Sequence, residues 1–592
     1  MNIPTRESYY EFDSFRLKLA LRVLERGGNE VHLKKQLYDI LLILVRCRKR
    51  IVTSKELIEA IWPGEKVKRS SNLWVDIAQL RKKLKSADPI ASSLIKSHPM
   101  QGYSFTATVH EHGVATVVAI LPFKVEEGQQ IADESGLKLA DRLTVMLSSS
   151  GSLSVRRQDT VIMEYNQHPN QSPLIFGHRL VADYIFSGSI WREQELIEVE
   201  FRDVRADEVR ASTSFEGCRP ESDEAPKLIH AWIELALGLP QTDQGTGQPA
   251  KRYTTNQKAK ELYEDGRVQR FRGTQASLRR ATTYFKRATE EDPNFAQAYV
   301  GVAGTYIYRG MMGLISPQES YGGSREAAIK ARAIDENLVG AHSTWAFVKL
   351  FFERQWEEAQ SGFERAIEIK FDYPAAHMGY AHCLTAQGHH AEAEAEIGLA
   401  LQYDPFSFFI SFVRGMVLFL ARKYDESLKQ FEQTQLMSSE FNLKSDLPHY
   451  GISLAYEYSA LIGAAEERER LFEKADEEAY LAVRLSKRHP LKLLHHSQLK
   501  AVWGKRDEAL KLLDEALDLR RRGHYVSPYH LGIVYASMGE TDVAIESLEA
   551  APGERDQYLF LTGVDPRLDS LRSDPRFREL LGQLGLRIES KS

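Results

Sequence analysis

Apolar residues at helical spacing single out residues 70–85, SSNLWVDIAQLRKKLK. At 100° per residue, Leu73, Ile77, Leu80 and Leu84 fall on one narrow face, which predicts a helix with a buried stripe. The opposite face carries small residues, an amide and a cation, which are Ser71, Val75, Ala78, Gln79 and Lys82, with Trp74, Arg81 and Lys85 on its flank. An ordinary surface helix with a basic C-terminal end has the same local pattern. The neighbouring elements therefore decide its role.

The pattern around this helix predicts short strands and two more helices within residues 1–110, called the head. Residues 10–19 alternate near period two, as in antiparallel strands. Helical spacing predicts one helix over 34–47 and another that begins at Ser54, its expected N-cap, and ends at Pro63-Gly64. Residues 94–106 have a hairpin pattern. Together these elements are typical of an α/β winged helix-turn-helix domain, whose second motif helix enters the DNA major groove.

Charge separates the head from the rest of the chain. The head contains 20 Lys and Arg residues against 11 Asp and Glu residues, a net charge of +9. The whole chain of 592 residues carries −5, so the remainder carries −14. A basic head on an acidic body predicts that only the head touches nucleic acid.

Residues 114–240, called the middle region, predict a second α/β domain. Val117–Phe123 is an apolar run with the length of a buried strand, residues 137–147 have helical spacing, and residues 198–204 alternate as a strand. Ser187-Gly188-Ser189 lacks the flanking glycines of a nucleophile elbow, so a turn is expected there. The polar residues 241–254 predict a linker.

Residues 255–592, called the repeat region, predict an all-α solenoid. Small–large–small triplets recur at Ala281/Phe285/Ala288, Ala359/Phe363/Ala366, Ala393/Ile397/Ala400, Ser427/Phe431/Thr434, Ala509/Leu513/Ala516 and Ala544/Leu548/Ala551. This is tetratricopeptide spacing, in which small residues let paired helices approach closely. Six units are clear, and one or two degenerate ones lie around 327–335 and 450–475. Phe577, Leu580, Leu581 and Leu584 predict a C-terminal capping helix.

Composition limits the chemistry and the compartment. Cys47, Cys218 and Cys383 lie far apart without metal-ligand spacing, which fits free thiols in a reducing compartment. Paired histidines such as His389-His390 lack HExxH geometry, and no Walker motif or dinucleotide fingerprint occurs. Val117–Phe123, the longest apolar run, is too short to cross a bilayer, which takes about 20 residues. We therefore predict a cytoplasmic protein with no catalytic residue, cofactor, metal or membrane contact.

The head resembles the DNA-binding domain of OmpR/PhoB-type bacterial response regulators. The similarity covers nearly all of residues 10–107 and includes Ile61-Trp62, Val75-Asp76-Ile77, Leu80–Leu84 and Gly102–Phe105. It implies that helix residues such as Gln79 approach bases and phosphates and that the wing reaches the minor groove. An arginine frequent at the wing tip of that family is Pro99 here, so wing contacts would fall to Lys96 or His98. The predicted DNA-binding residues are Ser71, Asn72, Val75, Ala78, Gln79, Arg81, Lys82, Lys85, Lys96 and His98.

The order of domains also resembles a known family. An N-terminal winged helix followed by a long body of repeats is similar to one-component transcriptional regulators of the HilA and CadC type. In the middle region, Ala119–Phe123 and Ala182–Trp191 resemble a TolB-type N-terminal domain. These resemblances imply double-stranded DNA as partner of the head and protein partners for the repeats. RNA polymerase is a candidate partner of the head, and self-association stays open.

Three functions remain to be weighed. The first is a sequence-specific transcriptional regulator that places residues 70–85 in the major groove and senses a partner or ligand through its repeats. The second is a tetratricopeptide scaffold or adaptor whose winged helix binds protein. The third is an enzyme hidden in the middle region. The basic head favours the first over the second, and the lack of a paired acid and base, nucleophile or phosphate motif disfavours the third.

Overall fold

The computed structural model describes residues 8–19, 22–62, 70–88, 91, 93–99, 101–126, 134–148, 153–239, 254–271, 274–440 and 444–586, with the backbone alone at 70–72, 271 and 440. The chain folds into two compact units, Met1–Lys251 and Arg252–Ser592. Pro63-Gly64 and nearly all of the predicted linker 241–254 lie outside the described residues.

The N-terminal unit begins with a five-stranded antiparallel sheet. Its strands are β1 (Tyr9–Phe12), β2 (Phe15–Lys18), β3 (Val23–Arg26), β4 (Asn29–Val31) and, from further along the chain, β8 (His110–His112), in the order β4-β3-β2-β1-β8. Tyr10, Phe12, Phe15 and Leu17 alternate with solvent-facing residues and are buried. The predicted alternation is confirmed, and it gives the sheet one face that packs into the core of the head.

Three helices and a small sheet complete the head. The helices are α1 (Lys35–Arg46), α2 (Ser54–Ile61) and α3 (Ser70–Ala87). The small sheet has the order β5-β7-β6, with β5 (Val52–Thr53), β6 (Ile95–His98) and β7 (Gly102–Phe105), and the β6–β7 hairpin is the wing. The N-cap of α2 is Thr53 rather than Ser54, because the Thr53 hydroxyl accepts a hydrogen bond from the Glu56 amide at 3.1 Å.

The middle region is an α/β layer structure, as predicted. Its elements are β9 (Val117–Ile120), β10 (Lys124–Val125), α4 (Glu134–Ser148), β11 (Ser154–Val155), α5 (Gln158–Gln167), α6 (Pro173–Arg179), β12 (Tyr184–Trp191), β13 (Leu196–Asp203), β14 (Glu208–Glu216) and α7 (Glu224–Ala236). The sheet order is β11-β9-β12-β13-β14, and β10 also pairs with β12. Helices α4 and α7 pack on one face, while α5 and α6 cover part of the other.

The turn expected at Ser187-Gly188-Ser189 is wrong, because these residues continue β12. They pair antiparallel with Glu200, Val199 and Glu198 of β13. A side chain at position 188 would place its Cβ 2.1 Å from the Glu198 carbonyl oxygen. Gly188 therefore allows two strands to approach closely. Glycine is found both in turns and at such close contacts between strands, so the sequence alone does not distinguish the two.

The described part of the C-terminal unit contains eight helix pairs. They are α8 (Gln257–Phe271) with α9 (Gln275–Glu291), α10 (Ala296–Met311) with α11 (Pro317–Ile334), α12 (Val339–Val348) with α13 (Trp356–Ile369), α14 (Pro374–Ala386) with α15 (His390–Tyr403), α16 (Phe408–Leu420) with α17 (Tyr424–Glu440), α18 (Leu447–Ile462) with α19 (Ala465–Leu485), α20 (Pro490–Val502) with α21 (Arg506–Arg521), and α22 (Pro528–Ser537) with α23 (Thr541–Ala550). A π-helical turn, Lys349–Glu353, follows α12. The six clear units and both degenerate ones are helix pairs.

Large residues of the second helices fit against glycines of the first helices on either side. A Cβ at Gly266 of α8 or Gly301 of α10 would lie 2.6 or 2.7 Å from the Phe285 ring of α9. Gly415 of α16 and Gly451 of α18 frame Phe431 of α17 in the same way, at 2.4 and 2.3 Å. The repeats can stack closely because these positions lack side chains.

Residues 552–586, called the C-terminal segment, run across the first helices of the pairs. The segment contains two 3-10 turns, Leu559–Leu561 and Pro566–Leu571, and α24 (Pro575–Gln583). The first helices from α10 to α22 form a surface called the inner face. Gln557 donates to the Gly310 carbonyl of α10 at 3.0 Å, and the Phe560 ring lies 5.4 Å from that of His382 on α14. Near its end, the Leu584 carbonyl accepts from the Trp356 indole of α13 at 2.7 Å.

The predicted capping helix exists, but its placement differs from a simple end cap. Phe577, Leu580, Leu581 and Leu584 are buried, as expected. However, the same segment contacts pairs from α10 to α22, so it spans the solenoid instead of only closing its end. Repeat periodicity could not indicate this, because it describes contacts between neighbouring repeats and not the return of a later segment.

Candidate nucleic-acid interface

Helix α3 presents a polar face because its apolar face is buried. Leu73 is 2% exposed, and Ile77, Leu80 and Leu84 are fully buried in the core that α1 and α2 share. On the opposite face, the side chains of Val75, Ala78, Gln79, Lys82 and Lys85 are exposed. The side chains of Ser71 and Asn72, two predicted DNA contacts, lie outside the described residues.

Trp74 belongs to this surface and was absent from the predicted contacts. Its side chain is 67% exposed, and the neighbouring Val75 is 43% exposed. Large apolar side chains in solvent need an explanation when they adjoin one another, since burial normally removes them from water. The signal was available in the sequence, where Trp74 lies off the buried stripe of α3.

Arg81 is engaged within the head. Its guanidinium donates two hydrogen bonds to the Ile95 carbonyl, at 2.8 and 3.2 Å, and a third to the Ser97 hydroxyl at 2.8 Å. Ile95 and Ser97 belong to β6, the first strand of the wing. Arg81 therefore fixes the wing relative to α3 and is not a free cation on the predicted face.

Lys96 and His98, the two predicted wing contacts, both lie on β6. Lys96 is exposed, while the His98 Nε2 lies 2.8 Å from the Ser104 hydroxyl across the hairpin. Gly102 has φ +150, and a Cβ there would lie 2.0 Å from the Val52 carbonyl oxygen. Only glycine fits this contact between the wing and β5.

The cations of the head divide into paired and unpaired groups. Several are paired with carboxylates, as in Lys18–Glu25, Arg22–Asp39, Arg26–Asp88, Arg46–Asp183 and Arg50–Glu56. By contrast, Lys82, Lys83, Lys85 and Lys96 are exposed and form no ion pair with any described residue. Lys34 and Lys49 are also exposed and unpaired. Among the described residues of the head, however, most of the unpaired positive charge lies on α3 and the wing, where it remains available to an anionic partner.

Buried ion pairs join the head to the middle region. Arg46 at the end of α1 lies 2.8 Å from Asp183, and both side chains are buried. Arg205 donates to the same carboxylate at 2.6 Å, and the Val117 amide donates to its other oxygen at 2.8 Å. Burial alone would raise the pKa of Asp183, but Arg46 and Arg205 together hold it below its usual range.

A second cluster lies beneath α2. Burial would raise the pKa of Glu56, but hydrogen bonds from Arg50 and His178 lower it to about 2. His178 Nε2 lies 2.6 Å from Glu56 Oε1, and burial lowers the pKa of this imidazole. The first turn of α2 is therefore fixed by a residue of α6 in the middle region.

Cys47, Glu56 and His178 have donor atoms within 4.8 Å of one another, and all three residues are buried. Thiolate, carboxylate and imidazole groups are zinc ligands. The Arg50 guanidinium, however, donates to both Glu56 oxygens and approaches Cys47 Sγ at 3.6 Å. A protein cation already neutralises the carboxylate, and burial raises the pKa of Cys47 to about 11, which keeps the thiol protonated.

Comparison with known proteins agrees with this geometry. Residues 28–105 match the family described as transcriptional regulatory protein, C terminal, and residues 350–407 match a tetratricopeptide repeat family. The resemblance of the head to OmpR/PhoB-type domains and the repeat pattern are thereby confirmed. The TolB-type likeness of the middle region stays a prediction.

Relatives among characterised proteins are regulators. The transcriptional regulatory protein KdpE of Mycobacterium tuberculosis is 34% identical over 97 residues, which cover 16% of this chain and 42% of the relative. The transcriptional regulator HilA of Salmonella typhimurium is 23% identical over 352 residues, 57% of this chain and 60% of the relative. The chain thus spans between 42% and 60% of the length of these relatives.

Among solved structures, the chain is similar to YrrB, a tetratricopeptide protein with an unusual peptide-binding site. The match has 20% sequence identity and a TM-score of 0.22, and it covers 35% of this chain and 95% of that one.

Within the described residues, no helix has both the length and the apolar character needed to span a membrane.

Proposed function

We propose that this protein is a sequence-specific regulator of transcription that binds double-stranded DNA through α3 and the wing. The supporting observation is the distribution of cations in the head: Lys82, Lys83, Lys85 and Lys96 on α3 and the wing are unpaired, while most described cations elsewhere in the head meet carboxylates. The match of residues 28–105 to regulatory domains supports the same conclusion. An exposed row of cations is suited to phosphates, whose contact releases counterions from DNA.

The roles of individual residues follow from their chemistry. Gln79 is central on the exposed face and has the amide geometry that pairs with adenine. Val75 and Ala78 would contact thymine methyl groups, while Lys82 and Lys85 reach phosphates. Lys96 and His98 would approach the backbone beside the adjacent minor groove, and Ser71 and Asn72 remain sequence predictions.

Arg81 has a different proposed role from the one its resemblance implies. Since its donors are directed to Ile95 and Ser97, it positions the wing instead of contacting bases. Trp74 joins the interface as an apolar contact to sugar and methyl groups at the edge of the groove.

The deciding experiment is binding of the full chain to fluorescent genomic fragments, measured by anisotropy at several salt concentrations. We expect one or a few fragments to bind more tightly than the rest, with affinity that falls steeply as salt rises. Retention of no fragment at low salt by a well-folded protein would exclude DNA binding. Equal binding of all fragments would exclude sequence specificity.

The repeat region is proposed to bind a protein partner through its second helices. The C-terminal segment covers the inner face, which leaves the outer surface. Exposed large apolar side chains on that surface are Ile329 of α11, Leu436 of α17, Tyr480 of α19, Leu510 of α21 and Val543 of α23. Contact with RNA polymerase and self-association stay predictions. Cross-linking of the full chain in a cell extract, with and without Tyr480→Ser and Leu510→Ser, tests the outer surface.

The alternative is an adaptor whose head binds protein. Trp74 and Val75 favour it, since exposed apolar groups also occur at protein interfaces. The anisotropy experiment separates the two functions, because an adaptor would give no salt-dependent DNA binding.

A further inference from the structure

A cleft of about 560 Å³ lies in the middle region, outside the proposed DNA interface. Its floor is the part of the sheet that α5 and α6 leave uncovered. Leu121 and Pro122, which follow β9, form one edge. Strand β9 lies between β11 and β12 in the sheet. After β9 the chain passes to β11 on one side, and it then crosses back to β12 on the other side. Open α/β sheets bind ligands at such a switch point, beyond the carboxyl ends of the strands.

The floor of the cleft carries two rows of polar side chains. The register of β12, β13 and β14 aligns Ser187 with Glu200 and Ser212 in one row. It aligns Ser189 with Glu198 and Ser214 in the other. All six line the cleft. Because side chains alternate across a strand, both rows share the face opposite the α4–α7 core.

The wall of the cleft contains a tyrosine whose hydroxyl is open to the cleft. Tyr165 of α5 is 3% exposed and stacks on Phe176 of α6, with ring centroids 5.5 Å apart. Tyr165 lines the cleft, and its hydroxyl makes no hydrogen bond to any described residue. The hydroxyl can therefore donate to, or accept from, a ligand that enters the cleft.

Several floor groups are free to bond a ligand. Ser212 and Ser214 are exposed, Ser187 is half-buried, and the three hydroxyls make no hydrogen bond to any described residue. The carboxylates are only partly engaged: Glu198 accepts from the Trp191 indole at 3.2 Å and Glu200 from Arg202 Nε at 3.2 Å. Each therefore keeps a further oxygen for a donor from a ligand.

We propose that this cleft binds a small polyol, neutral or amine-bearing, of mono- or disaccharide size. Lys124 also lines the cleft, but Glu198 and Glu200 leave an excess of negative charge that disfavours anionic ligands. The two carboxylates accept pairs of hydroxyl or ammonium donors. Serine and tyrosine hydroxyls can both donate to and accept from a sugar-like ring. Pro122, Pro173 and Phe176 offer apolar surface to its C–H face. The volume lies in the range of ordinary ligand pockets, about 300–1,000 Å³. The proposal does not depend on DNA binding.

The test is saturation-transfer NMR and a thermal shift assay on the full chain, with glucose, galactose, glucosamine and trehalose as probes at millimolar concentration. We expect at least one probe to bind and to raise the melting temperature. Glu198→Gln should weaken binding about tenfold, since a charged acceptor is lost. Tyr165→Phe should weaken it by a smaller factor, and Ser212→Leu, which fills the floor, should abolish it.

Glu208→Gln, at the exposed far end of β14, is the matched control and should bind like the wild type. Circular dichroism checks that each variant is folded, and Tyr165→Phe keeps the test decisive if Ser212→Leu does not fold. Binding of no probe by the wild type overturns the proposal. Unchanged binding by Glu198→Gln and Tyr165→Phe likewise overturns it, because the ligand would then lie elsewhere.

Discussion

Asp565 and Arg567 form an ion pair inside the repeat unit, away from solvent. Arg567 Nη2 lies 2.7 Å from Asp565 Oδ2, and their side chains are 2% and 0% exposed. Tyr529 of α22 donates to the same carboxylate at 2.6 Å, and Arg567 donates to the Tyr450 hydroxyl of α18 at 3.3 Å. One pair on the C-terminal segment thus connects two first helices that are distant in sequence.

Asp565→Asn should strongly destabilise the repeat unit. The substitution leaves the Arg567 charge buried without its counterion, which costs about 3–5 kcal/mol in proteins. Urea unfolding of the full chain, followed by the helical circular dichroism signal, measures the loss.

Glu540→Gln is the matched control, because its partner Arg506 forms an exposed pair with it. Exposed pairs contribute little, so this variant should unfold near the wild-type midpoint. Equal effects of the two substitutions would contradict the structural role given to the buried pair.

Glu457→Gln should stabilise the protein above neutral pH. Glu457 of α18 is fully buried, its Oε1 accepts from Gln498 at 2.6 Å, and its Oε2 has no partner. Burial raises the pKa of Glu457 from 4.5 to about 7. The folded state therefore holds this proton more tightly than the unfolded state. The stability that the proton supplies is complete below the unfolded pKa and is lost as pH rises through 7.

The variant lacks this titration, so its free energy of unfolding should exceed that of the wild type by about 3 kcal/mol at pH values above 7. The difference should vanish below the unfolded pKa. Urea unfolding of both proteins across this pH range measures it, and a difference that is constant with pH would show that Glu457 stays ionised in the folded state.

A fragment of residues 1–239 should be markedly more stable than one of residues 1–110. The sequence pattern places a whole winged helix-turn-helix domain within residues 1–110. That stretch lacks Asp183, which neutralises Arg46, and His178, which contacts Glu56. Thermal unfolding of the two fragments compares them directly. In the longer fragment, Asp183→Asn should lower the melting temperature toward that of the shorter fragment. Asp207→Asn, on the exposed loop next to Arg205, is the control and should not. Equal melting temperatures for the two fragments would exclude coupling between the regions.

Gln79→Ala should relax preference at one base position, a loss of about 1–3 kcal/mol of discrimination. Its effect on the salt dependence of binding should be negligible, because no phosphate contact is removed. Selection from a DNA site library by the two proteins makes the comparison, and identical base preferences would remove Gln79 from recognition.

Lys82→Ala should instead weaken binding to all sequences and flatten the salt slope by roughly one unit. Lys55→Ala is the matched control, since Lys55 is an exposed cation of the head that is paired with Glu59. Anisotropy titrations at two salt concentrations distinguish the variants. A slope for Lys82→Ala equal to that of the control would place Lys82 outside the DNA contact.

Sequence patterns predicted the elements better than the contacts between them. The stripe Leu73–Leu84 and the triplet Ala281/Phe285/Ala288 mark buried faces because helical periodicity is local. Arg81 was assigned to DNA, yet its partners Ile95 and Ser97 come from a later strand, which periodicity cannot select. The Arg46–Asp183 pair joins residues 137 positions apart and has no local signal.

The path of the C-terminal segment has a consequence for how the chain reaches its native state. Solenoids of simple repeats can begin folding at any repeat and extend from neighbour to neighbour. Here the C-terminal segment, which is synthesised only after all eight helix pairs, supplies contacts to the first helices. It contacts the Gly310 carbonyl, the His382 ring and the Tyr529 hydroxyl. Their surroundings stay exposed to water and to other chains until translation passes residue 586. The closing contacts have large sequence separation, which slows folding and prolongs this exposure. Premature termination after α23 would therefore produce a chain with complete helix pairs and a persistently open apolar face, the form most prone to aggregate.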